Sequence, residues 1–125
     1  MPVELDTLQG TWRVVALEVD GTRVARHAIT AARVVVEGSR FESVGMGARY
    51  GGTLLLGSGH SPRELELRFD RGPHAGLTSF GICDLAHDTW LLCLGLVGRP
   101  RPRRFATTTG SGHALQVLQR IPVTA

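Results

Sequence analysis

Five histidines, two cysteines, one tyrosine and eleven carboxylates are the side chains of this 125-residue chain able to act on a substrate or hold a metal. His27, His60, His74, His87 and His113 each stand beside Gly, Pro, Ser, Ala or Asp, in what reads as a turn or a strand end. No H-x-H pair occurs, the form a metal site carried on a strand usually takes, so the imidazoles read as exposed loop residues and no metal is expected. Cys83 and Cys93 lack C-x-x-C spacing and read as two free thiols. No G-x-S-x-G elbow marks a serine nucleophile, and His87-Asp88 reads as a turn pair. Proton transfer is the chemistry left. Its candidates are Glu18 and Asp84, with Tyr50 the only phenol to partner either. A carboxylate held in apolar surroundings has a raised pKa and can move protons, whereas one at a wet rim stays an ordinary acid. Nothing in the set calls for a cofactor.

Which of these groups meet depends on the elements that carry them. Sixteen glycines and six prolines break the chain into short stretches rich in Val, Leu, Thr and aromatics, and no long segment keeps a 3.6-residue apolar period. The pattern is all-β. Strands are predicted over Thr11–Val19, Arg33–Glu37, Arg40–Val44, Tyr50–Leu56, Glu64–Phe69, Leu77–Leu85, Thr89–Leu94, Arg104–Thr108 and Ala114–Ile121. One short helical turn fits within Val24–Ala32. Asp20-Gly21 and the EGSR stretch Glu37–Arg40 are hairpin turns, and the connections are short enough for an up-and-down meander. Glycines 45, 47, 51 and 52 interrupt a strand-like region and mark where a sheet coils or bulges. Open strands would leave hydrogen-bonding edges, which closure removes, so the expected fold is an antiparallel up-and-down β-barrel of eight to nine strands in one domain, residues 1–125.

Alternation assigns the faces. In ELELRFD, Leu65, Leu67 and Phe69 fall on one side and Glu64, Glu66, Arg68 and Asp70 on the other. If Trp12 points inward, Val14, Ala16 and Glu18 share its face. TWLLCLGL and RVVVE are apolar on both faces and read as covered on both sides. For the hairpin near His87 two registers are open: a two-residue turn puts Cys83 and Cys93 on opposite faces, and a three-residue loop brings them together.

LQGTW at residues 8–12 sets a glycine two places before a tryptophan at the start of the first strand, and Arg120 stands late in the last one. Gly10, Trp12 and Arg120 together resemble the signature of lipocalins and their calycin relatives. In that family the indole plugs one end of the barrel, and the arginine lies across it while bonding backbone carbonyls. LQGTWRVVALEVDG, GICDLAHDTWLLC and RPRRFATTTGSGHALQVLQR resemble, in order and spacing, a small bacterial lipocalin-like family abundant in planctomycetes. The chain departs from that family at Cys83, where it has tyrosine, and at Ala86-His87, where it has Asp-Gly. The resemblance implies a lipocalin-like barrel and leaves the activity open.

Function is expected to be binding of a small hydrophobic molecule in the barrel interior, with Val14, Ala16, Glu18, Tyr50, Leu65, Leu67 and Phe69 as the wall. An alternative is a cofactor-independent cyclase or isomerase of a polyketide-like natural product, working by confinement. A further alternative is a filled barrel serving as a protein-interaction module. The fourteen basic residues are all arginine, which suggests coding bias, and the net charge is only +3. Four arginines crowd into Arg99–Arg104, yet with 6% aromatic residues and no basic-aromatic pattern this reads as a solvated loop at a barrel mouth, and no nucleic-acid partner is expected. No apolar run approaches the ~20 residues of a membrane helix. With an acidic pair near the N-terminus in place of a basic leader, a cytoplasmic setting is expected.

Overall fold

The computed structural model describes residues 3–122. Turn chemistry sets the reversals. Asp20 and Gly21 both adopt positive φ, 53° and 84°, as a two-residue hairpin turn requires, and they join β1 (Gly10–Val19) to a two-residue strand, β2 (Thr22–Arg23). Gly38 and Ser39 turn β3 (Arg33–Glu37) into β4 (Arg40–Val44). The meander continues through β5 (Tyr50–Leu56), β6 (Arg63–Arg71), β7 (Thr78–Ala86) and β8 (Thr89–Gly95) to β9 (His113–Arg120). Helix is confined, among the described residues, to two 3₁₀ turns, Asp6–Leu8 and Arg26–Ala28.

Each strand from β3 onward pairs antiparallel with the next, β3 pairs with β1, and β9 pairs back onto β1. Eight strands thus close into a barrel, and β2 is an added strip beside the end of β1. The extra turn of register needed for closure is taken up at two irregularities. One is between Gly51 and Gly52, where a Cβ on Gly52 would overlap the Arg68 carbonyl. The other lies in β1: Val14 opposes Leu118 and Ala16 opposes Val117, so Val15 is an extra residue.

One end of the barrel is filled. Val3, Leu8 and Trp12 are fully buried there, and the Trp12 indole N–H donates to the Leu8 carbonyl at 2.9 Å. The Arg120 guanidinium lies 4.3 Å from the Trp12 ring centroid while donating to the carbonyls of Thr7 and Gln9. Gly10 sits between them with φ 118°, and a Cβ there would stand 3.4 Å from Arg120 Nη1. The glycine before the tryptophan therefore supplies the left-handed backbone at the point where the guanidinium packs.

Three expectations change, and an open register is settled. The Arg104–Thr108 stretch is not a strand: residues 96–112 form a long loop that runs back over the outer wall. Arg101 Nη1 donates to the Leu65 and Gly81 carbonyls, Pro102 is buried, and the Ala106 carbonyl accepts a weak bond from the Cys93 thiol. The arginine-rich segment is consequently anchored on the barrel side and is not a free rim at the mouth. This strap also explains why TWLLCLGL is apolar on both faces. RVVVE is not so covered, because Val34 and Val36 are buried while Val35 is 37% exposed on the outside. The His87 turn has two residues, with Ala86 opposite Thr89, so Cys83 faces inward, Cys93 outward, and both are free thiols.

Candidate functional site

The half of the barrel away from Trp12 is hollow. A cavity of about 260 Å³ is lined by Trp90, whose ring packs 5.3 Å from that of the fully buried Trp12. The barrel wall gives it Leu17 and Val19 from β1, Phe41 from β4, Leu54 from β5, Leu67 and Phe69 from β6, Leu92 and Leu94 from β8 and Ala114 from β9. Three loops close around the mouth and contribute Met46, His74 and Leu96. Its polar groups are few: Ser43, Tyr50, His74, Ser79 and Gln116. Among the residues lining it there is no Asp, Glu, Lys or Arg.

The β1 bulge decides which residues reach this space. Trp12 and Val14 point inward, but the extra Val15 reverses the alternation, so Leu17 and Val19 line the cavity while Ala16 and Glu18 face out. The expected inward placement of Ala16 and Glu18 is therefore corrected. The Glu18 carboxylate accepts a 2.5 Å hydrogen bond from Thr107 and holds the outer strap, and Thr107 in turn accepts the Gly21 N–H. Asp84 also lies outside the barrel, accepting from the Ser61 hydroxyl at 2.7 Å and from the Leu85 N–H. The trio Glu18, Tyr50 and Asp84 does not converge, and Tyr50 alone of the three lines the cavity. Leu67 and Phe69 line it too. Val14 and Leu65 are buried deeper, in the packed region near the filled end.

His74 departs from its reading as a solvent-exposed loop residue. The Gly72–Gly76 turn between β6 and β7 folds it over the mouth, where its ring lies 5.0 Å from that of Tyr50 and 5.3 Å from that of Phe69. Phe41 extends this aromatic group, edge-on to Phe69 at 5.5 Å. The sequence signal for it was the glycine-flanked GPHAG turn directly after the inward-facing Phe69.

Two buried polar atoms on the cavity wall lack a hydrogen-bond partner, Trp90 Nε1 and Gln116 Oε1. Gln116 was not singled out from sequence. It sits inward on β9, opposite Leu17 and Leu92, as an amide in an otherwise apolar stretch of wall. Burial pushes the Cys83 thiol, on the inner face near Trp90, up to about 11, so it is a protonated, unreactive group near neutral pH. No three His, Cys, Asp or Glu side chains converge as metal ligands among the described residues.

A scan against protein-family models and searches of curated proteins and of solved structures return no match. Among the described residues, no helix is long and apolar enough to cross a membrane.

Proposed function

We propose that the chain is a lipocalin-like binding protein that takes a small apolar molecule into the open half of its barrel. The observation that carries the reading is the cavity itself: about 260 Å³ of apolar space inside a barrel whose other end is packed solid. Empty space of that size lowers stability, and occupation by an apolar ligand recovers the lost contacts. The Gly10, Trp12 and Arg120 arrangement supports the lipocalin-like kinship, since it is the geometry that resemblance implies. A filled barrel acting as an interaction module is the weaker reading beside such a cavity.

Freshly purified protein examined by native mass spectrometry should carry a small co-purified mass. After its removal, an environment-sensitive apolar dye should bind and raise the melting temperature by mass action. Absence of both would overturn the reading.

A second reading, cofactor-independent isomerisation or cyclisation, draws on one observation: Tyr50 and His74 stand side by side at the mouth and supply two groups able to exchange protons with a bound molecule. Under it, Tyr50→Phe and His74→Phe keep ligand binding and abolish turnover. Unchanged turnover in both would remove it.

A further inference from the structure

The cavity wall limits what its ligand can be. With no carboxylate or guanidinium on the wall, a charged group carried inside would be desolvated without a partner, which strongly disfavours ionic ligands. Gln116 favours the opposite, a neutral polar group: its side chain lines the cavity, while its Oε1 is shut off from that space without a partner and reaches it by a half-turn of the amide. Trp90 Nε1, the other unpaired atom, has the Cys83 sulfur beside it in a loose contact that falls short of a hydrogen bond. The Gln116 amide is therefore the group with most to gain from a ligand.

An amide presents an acceptor at one end and donors at the other, and the two ends exchange places by a half-turn of the side chain. A hydroxyl both donates and accepts, so it satisfies Gln116 in either orientation. At the other end of the cavity the rings of Phe41, Tyr50, Phe69 and His74 stand 5.0 to 6.0 Å apart, a wall suited to the face and edge of a flat ring. Size follows by proportion: an apolar cavity of about 150 Å³ takes benzene, so the space here suits roughly ten non-hydrogen atoms, a two-ring skeleton.

We infer that the ligand is a neutral, hydroxyl-bearing aromatic compound of one or two rings, bound with its hydroxyl on the Gln116 amide and its ring toward the aromatic mouth. The inference rests on the binding reading above and narrows it to a ligand class.

Three probes of one skeleton test it on the whole chain at pH 7: 2-naphthol, naphthalene and 2-naphthoate, titrated against the wild type and Gln116→Leu. The wild type should bind 2-naphthol about tenfold more tightly than Gln116→Leu does, the worth of one hydrogen bond, while naphthalene affinity changes by no more than about twofold. 2-Naphthoate should bind the wild type at least about a hundredfold more weakly than 2-naphthol. Gln116→Met, close to glutamine in length, repeats the comparison should the leucine variant fail to fold. If 2-naphthol affinity is indifferent to Gln116, or 2-naphthoate binds as well as 2-naphthol, the hydroxyl inference is overturned and the apolar binding reading stands. If neither 2-naphthol nor naphthalene binds folded wild type, the binding reading fails and takes this inference with it.

Discussion

Ala114 lines the cavity on β9, opposite Val19 of β1 and Leu94 of β8, and replacing it with phenylalanine puts a ring into the space a ligand would use. A cavity of about 150 Å³ takes a benzene-sized ring, and 260 Å³ is present here. At ~24 cal/mol per Å³ of cavity, up to ~3 to 4 kcal/mol is recoverable. The site is open to water at its mouth and the ring loses rotamer freedom, so the net gain expected is ~1 to 2 kcal/mol. Urea unfolding should show Ala114→Phe more stable by that amount, with the slope unchanged, and dye binding should be lost. Ala16→Phe is the control: the bulge puts that side chain outside, so dye affinity should match the wild type. Destabilisation of Ala114→Phe by ~1 to 3 kcal/mol, the signature of an overpacked core, with no dye bound by the wild type, would refute the cavity.

Trp12→Ala should lose ~3 to 5 kcal/mol, the cost of truncating a fully buried large aromatic. Arg120→Ala should lose roughly 2 kcal/mol or more through its two carbonyl bonds and its contact with the indole, read by the same unfolding curves. Thiol titration of denatured, unreduced protein should find both cysteines free. Burial raises the folded-state pKa of Cys83 to about 11. Its stabilising share is therefore intact below the unfolded thiol value near ~8.5 to 9 and is lost as pH rises toward 11, by about 2 to 3 kcal/mol. Cys83→Ala should flatten that alkaline limb, and an unchanged limb would contradict the inward placement of the thiol. Thr107→Val leaves the Gly21 N–H and the Glu18 carboxylate without their shared hydroxyl, and hydrogen exchange should rise across the strap.

The strands β3, β4 and β5 were legible to the residue. β3 and β4 flank Gly38, and β5 begins at Tyr50 after a glycine-rich stretch, so alternation and turn chemistry agree there. The β1 bulge was not legible. Its extra residue, Val15, lies in the run VVAL, where either phase of the alternation places an apolar side chain inside, and only Glu18, which the unshifted phase sends inward, argues against that phase. The error then propagated to Ala16 and Glu18. Arg104–Thr108 misled for a related reason: FATTT has strand propensity, yet its partners on the outer wall are the Cys93 and Glu18 side chains and the Gly21 N–H, which no local pattern encodes. Gln116 escaped notice because a glutamine flanked by leucine and valine looks like the polar half of an alternating strand. Only closure of the barrel turns it inward.

The filled end has a consequence for attachment. The Ile121 N–H bonds the Thr11 carbonyl, and Arg120 bonds the Thr7 and Gln9 carbonyls, so the polypeptide enters and leaves the barrel at one pole. Residues 3 and 122 therefore both lie at the pole opposite the cavity mouth. A tag, a fused partner or a solid support at either terminus leaves the mouth unobstructed. New termini cut at Gly110, in the strap on the outer wall between β8 and β9, leave every cavity-lining strand uninterrupted.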